Sequence, residues 1–224
     1  MARQLEVRRL GVVPYAEALA LQRALVEERR ADRVPDLLLL LQHPPVITFG
    51  VKGDGGRANL RVDADRLAAL GVEVSEAGRG GDVTYHGPGQ IVGYPIVDLR
   101  PDRCDVHRYV RDLEEVMIRA CGHYGVPAGR VAGFTGVWVG DRKIGAIGVR
   151  ISRWITSHGF AFNVSPNIDH FSLIVPCGIA DRGVASLEQL VGRPVSLHEV
   201  EDVVIAQFCD VFARPVMTEA PASA

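Results

Sequence analysis

Two residues in this chain have the types and settings that chemistry needs: Cys177, fixed between Pro176 and Gly178, and Lys143, which opens the run Lys143-Ile144-Gly145-Ala146-Ile147-Gly148. A thiol on a proline-glycine loop can point outward, and a neighbouring glycine amide can approach a developing oxyanion. Cys177 therefore reads as a nucleophile, with a buried filler as the plainer alternative. A thiol of ordinary pKa, about 8.5, needs a partner to become a thiolate. The sequence offers His86, His158 and Lys143 for that role. Of the 25 basic residues only Lys52 and Lys143 are lysines. That bias gives each lysine weight, because lysine can lose its proton when desolvated and arginine cannot. Lys143 reads either as such a base or as an ordinary lysine at a hairpin corner.

A second stretch asks for a ligand. Arg79-Gly80-Gly81-Asp82-Val83-Thr84-Tyr85-His86-Gly87-Pro88-Gly89-Gln90 is too rich in glycine for a core and well suited to backbone wrapped around a bound group. Gly80 and Gly81 permit close approach. Gly87-Pro88-Gly89 forces a sharp turn between strand-like segments 82–85 and 90–97, with His86 at its mouth. A tight hairpin with a turn-capping histidine is the structural alternative.

The elements that must position these residues follow from periodicity. Segment 4–13 reads as a strand and 15–30 as an amphipathic helix after Pro14. Five leucines within 36–41 make a buried strand, and 46–50 a further one. Segment 51–59, glycine-rich and containing Lys52, reads as a surface loop. A short helix at 63–70, a strand at 72–74 and a long helix at 106–124 come next, with Cys121 on the inner face of the last. Segments 137–139 and 143–151 form a hairpin, and 155–164 a third strand. The rest reads as a kinked loop at 175–179, a short helix at 184–190 and a terminal helix at 197–213.

Bulk properties exclude several classes. At 224 residues, 47% hydrophobic and net charge −2, the chain reads as one domain over 1–214 with a disordered tail at 215–224. Its charge points to no nucleic-acid or membrane partner. No signal peptide and no apolar run of membrane-spanning length, roughly 20 residues, is visible, which implies the cytoplasm. The cysteines at 104, 121, 177 and 209 have no metal-ligand spacing and should be free thiols there, so no metal is expected.

Taken together, four segments resemble the lipoyl(octanoyl) transferases: 79–90, 143–148, His158-Gly159-Phe160-Ala161-Phe162-Asn163-Val164 and Ile174-Val175-Pro176-Cys177-Gly178-Ile179. They occur in the family's order, and the likeness begins at the leucine strand and its His43-Pro44-Pro45. The resemblance implies an α/β fold like that of the biotin and lipoyl protein ligases, a mixed, largely antiparallel sheet with packed helices. It implies an acyltransferase that moves an octanoyl group from acyl carrier protein to a lysine of lipoyl domains, the first step of endogenous protein lipoylation. The acceptors would be the E2 subunits of 2-oxoacid dehydrogenases and the glycine cleavage H protein. Cys177 would carry the acyl group and Lys143 activate it, with no cofactor. Ala146, Ile147, Gly148, Gly159, Phe160 and Ala161 would wall an apolar slot. Arg79, Gly80, Gly81, Asp82, Val83, Thr84, Tyr85 and His86 would form another wall near the thioester, with His86 and backbone amides positioning the carbonyl. An ATP-dependent lipoate or biotin ligase is the main rival. A thiol hydrolase with a Cys-His pair and a non-catalytic acyl-binding module are weaker ones.

Overall fold

The computed structural model describes residues 3–52, 57–175 and 182–217. Within them the chain runs Leu5–Val12 (β1), Tyr15–Arg30 (α1), Asp36–Gln42 (β2), Val46–Phe49 (β3), Ala64–Ala69 (α2), Glu73–Glu76 (β4), Thr84–His86 (β5), Gln90–Ile96 (β6), Val106–His123 (α3), Gly129–Val131 (β7), Phe134–Val139 (β8), Arg142–Ser152 (β9), Ile155–Asn163 (β10), Leu187–Val191 (α4) and Leu197–Phe212 (α5). A seven-stranded sheet has the order β1-β2-β6-β10-β9-β8-β7, and a three-stranded sheet the order β4-β3-β5. Only β1 with β2 and β3 with β4 are parallel among the named pairs. This is the mixed, largely antiparallel sheet with packed helices expected from the sequence.

The leucine strand shows why the large sheet is covered on both faces. Side chains alternate along a strand, so an unbroken leucine run presents apolar surface both ways. Leu38 and Leu40 join a core with Leu113, Met117 and Cys121 of α3 and Val204 and Phe208 of α5. Leu37, Leu39 and Leu41 meet Ala18 and Leu25 of α1 on the other face. Burial of each such leucine stabilises by roughly 1.5–3 kcal/mol. Helix α3 starts where Asp105 accepts from the Arg108 amide at 3.0 Å, and α5 where Ser196 accepts from Glu199.

The alternative of a tight hairpin between 82–85 and 90–97 does not hold. Strand β5 pairs with β3 in the small sheet, whereas β6 lies between β2 and β10 in the large one. Gly87-Pro88-Gly89 is thus the crossing from one sheet to the other. The crossing is held from outside the turn: the Gly89 amide donates to Gln42 Oε1 at 2.8 Å, and its carbonyl accepts from Ser165 at 2.9 Å.

Residues 215–217 also differ from the disorder expected over 215–224, of which 218–224 lie outside the described residues. Residues 215–217 return alongside β1, with Leu5 donating to Pro215 O at 2.9 Å and Met217 donating to Leu5 O at 2.8 Å. Arg214 anchors them through a buried ion network. Asp36 accepts from Arg214 Nε at 2.5 Å and from Arg29 Nε at 2.8 Å, and Arg214 Nη2 reaches Asp98 O at 3.1 Å. Removing one member leaves buried charge uncompensated. Asp36→Asn should therefore lose about 3–5 kcal/mol of stability in urea unfolding.

Candidate active site

A cavity of about 400 Å³ opens on the α1 side of the large sheet, near the low end of the roughly 300–1,000 Å³ usual for small-molecule sites. Its floor is made by directly opposed residues of β9 and β10, Ala146 with Ala161 and Gly148 with Gly159. Opposed residues of an antiparallel pair share a face, so four of the smallest side chains line one trough. Gly159 has no room for more: a Cβ there would collide with Gly93 O and Pro95 Cδ. Ile147 and Phe160 alternate to the α3 face, where both pack in its core while still bordering the cavity.

The glycine-rich stretch forms the wall above. Gly80 donates to Val149 O at 3.0 Å, docking the loop on β9, and Val51 donates to Arg79 O while Lys52 donates to Gly81 O. Arg79 is 7% exposed; its Nη2 donates to Thr48 O at 3.0 Å and Thr48 Oγ1 at 2.9 Å. Asp82 accepts from the Asn59 amide at 2.9 Å. Arg79, Gly80, Gly81, Asp82, Val83, Thr84 and His86 all line the cavity. Tyr85 does not: alternation turns it into the core of the small sheet, where it is 1% exposed and its hydroxyl meets His170 Nδ1 at 2.8 Å.

Lys143 borders the same cavity, with Nζ 4.7 Å from the centre of the Trp138 ring. It reaches that face through a bulge. Val137 pairs with Gly145 and Trp138 with Lys143, so Ile144 is an extra residue in β9. Gly145 faces Met117 of α3. Strict alternation would put Lys143 under α3 as well, and the inserted residue turns it to the trough.

Three histidines, His43, His86 and His158, gather at this wall, and hydrogen-bond partners fix the protons of the first two. The Ala185 carbonyl can only accept, so Asn163 donates Nδ2 to it at 3.1 Å and accepts from Gln90 Nε2 through Oδ1 at 2.9 Å. Gln90 Oε1 must then accept from His86 Nδ1 at 2.7 Å. His86 thus spends its one N–H on Gln90 and offers Nε2 as an acceptor. A neutral imidazole so tied offers an acceptor and no donor toward the cavity, which speaks against the positioning role expected of His86. By the same logic His43 donates Nδ1 to Val13 O and accepts from the Tyr94 hydroxyl, each at 2.7 Å.

Burial pushes the His86 imidazole down to about 3, helped by His43 and Arg79. Burial likewise pushes His158 down to about 4, helped by Arg79, Arg150 and Arg23. An unfolded histidine titrates near 6.5. Below that pH the unfolded chain binds protons that the native one refuses, so this contribution to stability is complete above about 6.5 and lost as pH falls through about 4 for His158 and about 3 for His86. The urea midpoint should decline across that window, and His86→Gln should decline less steeply.

Sequence reasoning missed Tyr15 of α1 and Val92 and Tyr94 of β6 as lining residues, and it took Lys52 for a loop residue although it too lines the cavity. Cys177, with the loop expected at 175–179, lies outside the described residues from position 176 onward. The nearest described segment after it rejoins the site directly: Lys143 donates to Gly183 O at 2.9 Å and accepts from Ala185 at 3.0 Å. Among the described residues no group of three or more His, Cys, Asp or Glu is arranged to hold a metal ion, and no helix is long and apolar enough to cross a membrane.

Residues 14–209 match the family model of the lipoyl protein ligase A/B catalytic domain. The chain is 51% identical over 213 residues to an octanoyltransferase of Rubrobacter xylanophilus, covering 94% of this chain and 95% of that protein. It is 50% identical over 212 residues to an octanoyltransferase of Myxococcus xanthus, covering 92% of this chain but 59% of that longer protein. Among solved structures it is similar to a lipoate-protein ligase A bound with ATP, with a TM-score of 0.76 at 18% identity over 98% of this chain and 90% of that one. At that identity the likeness concerns the fold.

Proposed function

Since the chain belongs to the lipoyl protein ligase A/B catalytic-domain family, we propose that it is an octanoyltransferase, moving an octanoyl group from acyl carrier protein to the lysine of a lipoyl domain. The observation that carries this reading is the trough of Ala146, Gly148, Gly159 and Ala161, an apolar channel whose border includes Lys143. The relatives, about half identical over nearly the whole chain, carry the same activity in their names.

The chemistry divides into two steps. Neutral Lys143 takes the proton of Cys177, and the thiolate attacks the donor thioester; the carrier leaves as its thiol and the octanoyl group stays on sulfur. The acceptor amine then attacks that new thioester, Lys143 removes the amine proton, and the Cys177 thiol is restored as the amide forms. Exchange of one thioester for another is nearly even in free energy and amide formation is downhill, so neither step needs ATP. The two protein partners are octanoyl-acyl carrier protein and the lipoyl domains of 2-oxoacid dehydrogenases and the glycine cleavage system, met in the cytoplasm.

The test is intact mass after mixing with octanoyl-acyl carrier protein without ATP, beside a Cys177→Ala variant. One octanoyl adduct, absent from the variant and discharged by an apo lipoyl domain, is the expected result. The fold of ATP-bound lipoate-protein ligase A keeps one rival alive. Transfer that needs octanoate and ATP, with no adduct, would establish the ligase reading instead.

A further inference from the structure

The bulge that turns Lys143 toward the trough is tied down from behind by a buried carboxylate. Glu114 of α3 is fully buried. One of its oxygens, Oε2, accepts from Arg111 Nη1 at 2.6 Å and from Arg130 Nε at 2.9 Å. The other, Oε1, crosses to the sheet and accepts from the Gly136 amide at 3.0 Å. A strand amide bonding to a helix side chain instead of a neighbouring strand marks a break in the ladder. Gly136 lies within the stretch where β8 shifts register against β7, and it directly precedes the Val137–Trp138 step where β8 shifts against β9.

Gly136 sits directly behind the lysine. Its φ of +117° is open to glycine and strained for any other residue. A Cβ there would press on Gly145 O and come within 3.5 Å of Lys143 Cε. The bent backbone of β8 at Gly136, the extra residue of β9 at Ile144 and the stem of Lys143 therefore stack as one unit, fastened at its back by Glu114. A buried ion cluster is a poor way to gain stability, since an apolar replacement of similar volume often does as well. Its value here is geometric. The two arginines neutralise Oε2 from the surface side, leaving Oε1 to hold one amide.

We infer that Glu114 is a positioning residue for Lys143: by fixing the Gly136 bend it sets the bulge and aims the lysine amine along the trough. The inference rests on Lys143 being the base of the proposed reaction. The experiment separates the two. It is a double-mutant cycle on the first half-reaction, with octanoyl-acyl carrier protein in excess and adduct formation followed by intact mass. Glu114→Gln, which keeps the shape but loses the charge held by the arginines, should slow acylation by about 10²-fold, the usual scale for a reacting group displaced by an ångström, with KM unchanged. Added to Lys143→Ala, the same substitution should change the residual rate less than twofold, because its effect passes through the lysine.

An equal loss in both backgrounds would show a merely structural role and overturn the inference, as would wild-type acylation by Glu114→Gln. Wild-type acylation by Lys143→Ala would instead remove the base assignment itself. If Glu114→Gln fails to fold, Glu114→Asp runs the same cycle. It keeps the charge facing Arg111 and Arg130 and draws the carboxylate back from Gly136 by about 1.5 Å, one carbon–carbon bond.

Discussion

Lys143→Arg should lower octanoyl transfer by about 10²–10⁴-fold, the range over which a general base contributes, while leaving the thermal midpoint close to that of the wild type. Both halves of the expectation come from one contact. The Lys143 amine lies over the Trp138 ring, which the Arg182 guanidinium also approaches, 5.4 Å from the ring centre. A guanidinium at position 143 can keep the stacking on an aromatic face. What it cannot do is give up its proton. Loss of rate without loss of fold would therefore isolate the proton-transfer role, and near-normal transfer would remove Lys143 from it. Initial rates against an apo lipoyl domain, together with thermal denaturation, make the comparison.

Ala146→Leu should be the most damaging substitution in the trough. Ala146 and Ala161 face each other across the β9–β10 pair, and both border the cavity. Three further carbons at that point occupy space that an acyl chain needs. A single methylene mismatch in an apolar pocket is worth about 10–200-fold, so octanoyl transfer should fall by at least about 10². A butanoyl donor, if it ends short of the obstruction, should be affected far less. The ratio of kcat/KM for the two donors reads this directly, and an unchanged ratio would mean that the chain does not pass over Ala146.

The legible parts of this protein were those with local causes. The leucine strand, the helices of 16 and 18 residues at α1 and α3, and the β9–β10 pair all follow from runs and periodicities within one segment. The motif residues at 146–148 and 159–161 came together because neighbouring antiparallel strands place them there. The failures have distant causes. Gly87-Pro88-Gly89 has the composition of a hairpin turn, and what makes it a crossing is Gln42 and Ser165, 47 and 76 positions from Gly89. Tyr85 was grouped with its loop neighbours, although alternation in a three-residue strand sends it the other way. Tyr15 and Tyr94 lie in segments that read as ordinary helix and strand, and only tertiary packing brings them to one wall. The Ile144 bulge carries no composition signal: an isoleucine among strand residues looks like any other.

The return of residues 215–217 alongside β1 bears on how the folded chain behaves toward its own copies. β1 is the outermost strand of the large sheet, and an exposed strand edge is a template for pairing with another chain. Leu5 lies in that strand with both its amide and its carbonyl occupied by the returning segment. The segment thus covers that edge at its Leu5 end, held in place by Arg214. A chain ending at 213 would lose the segment and its anchor together, leaving Asp36 with one arginine fewer and that end of the edge open to self-association.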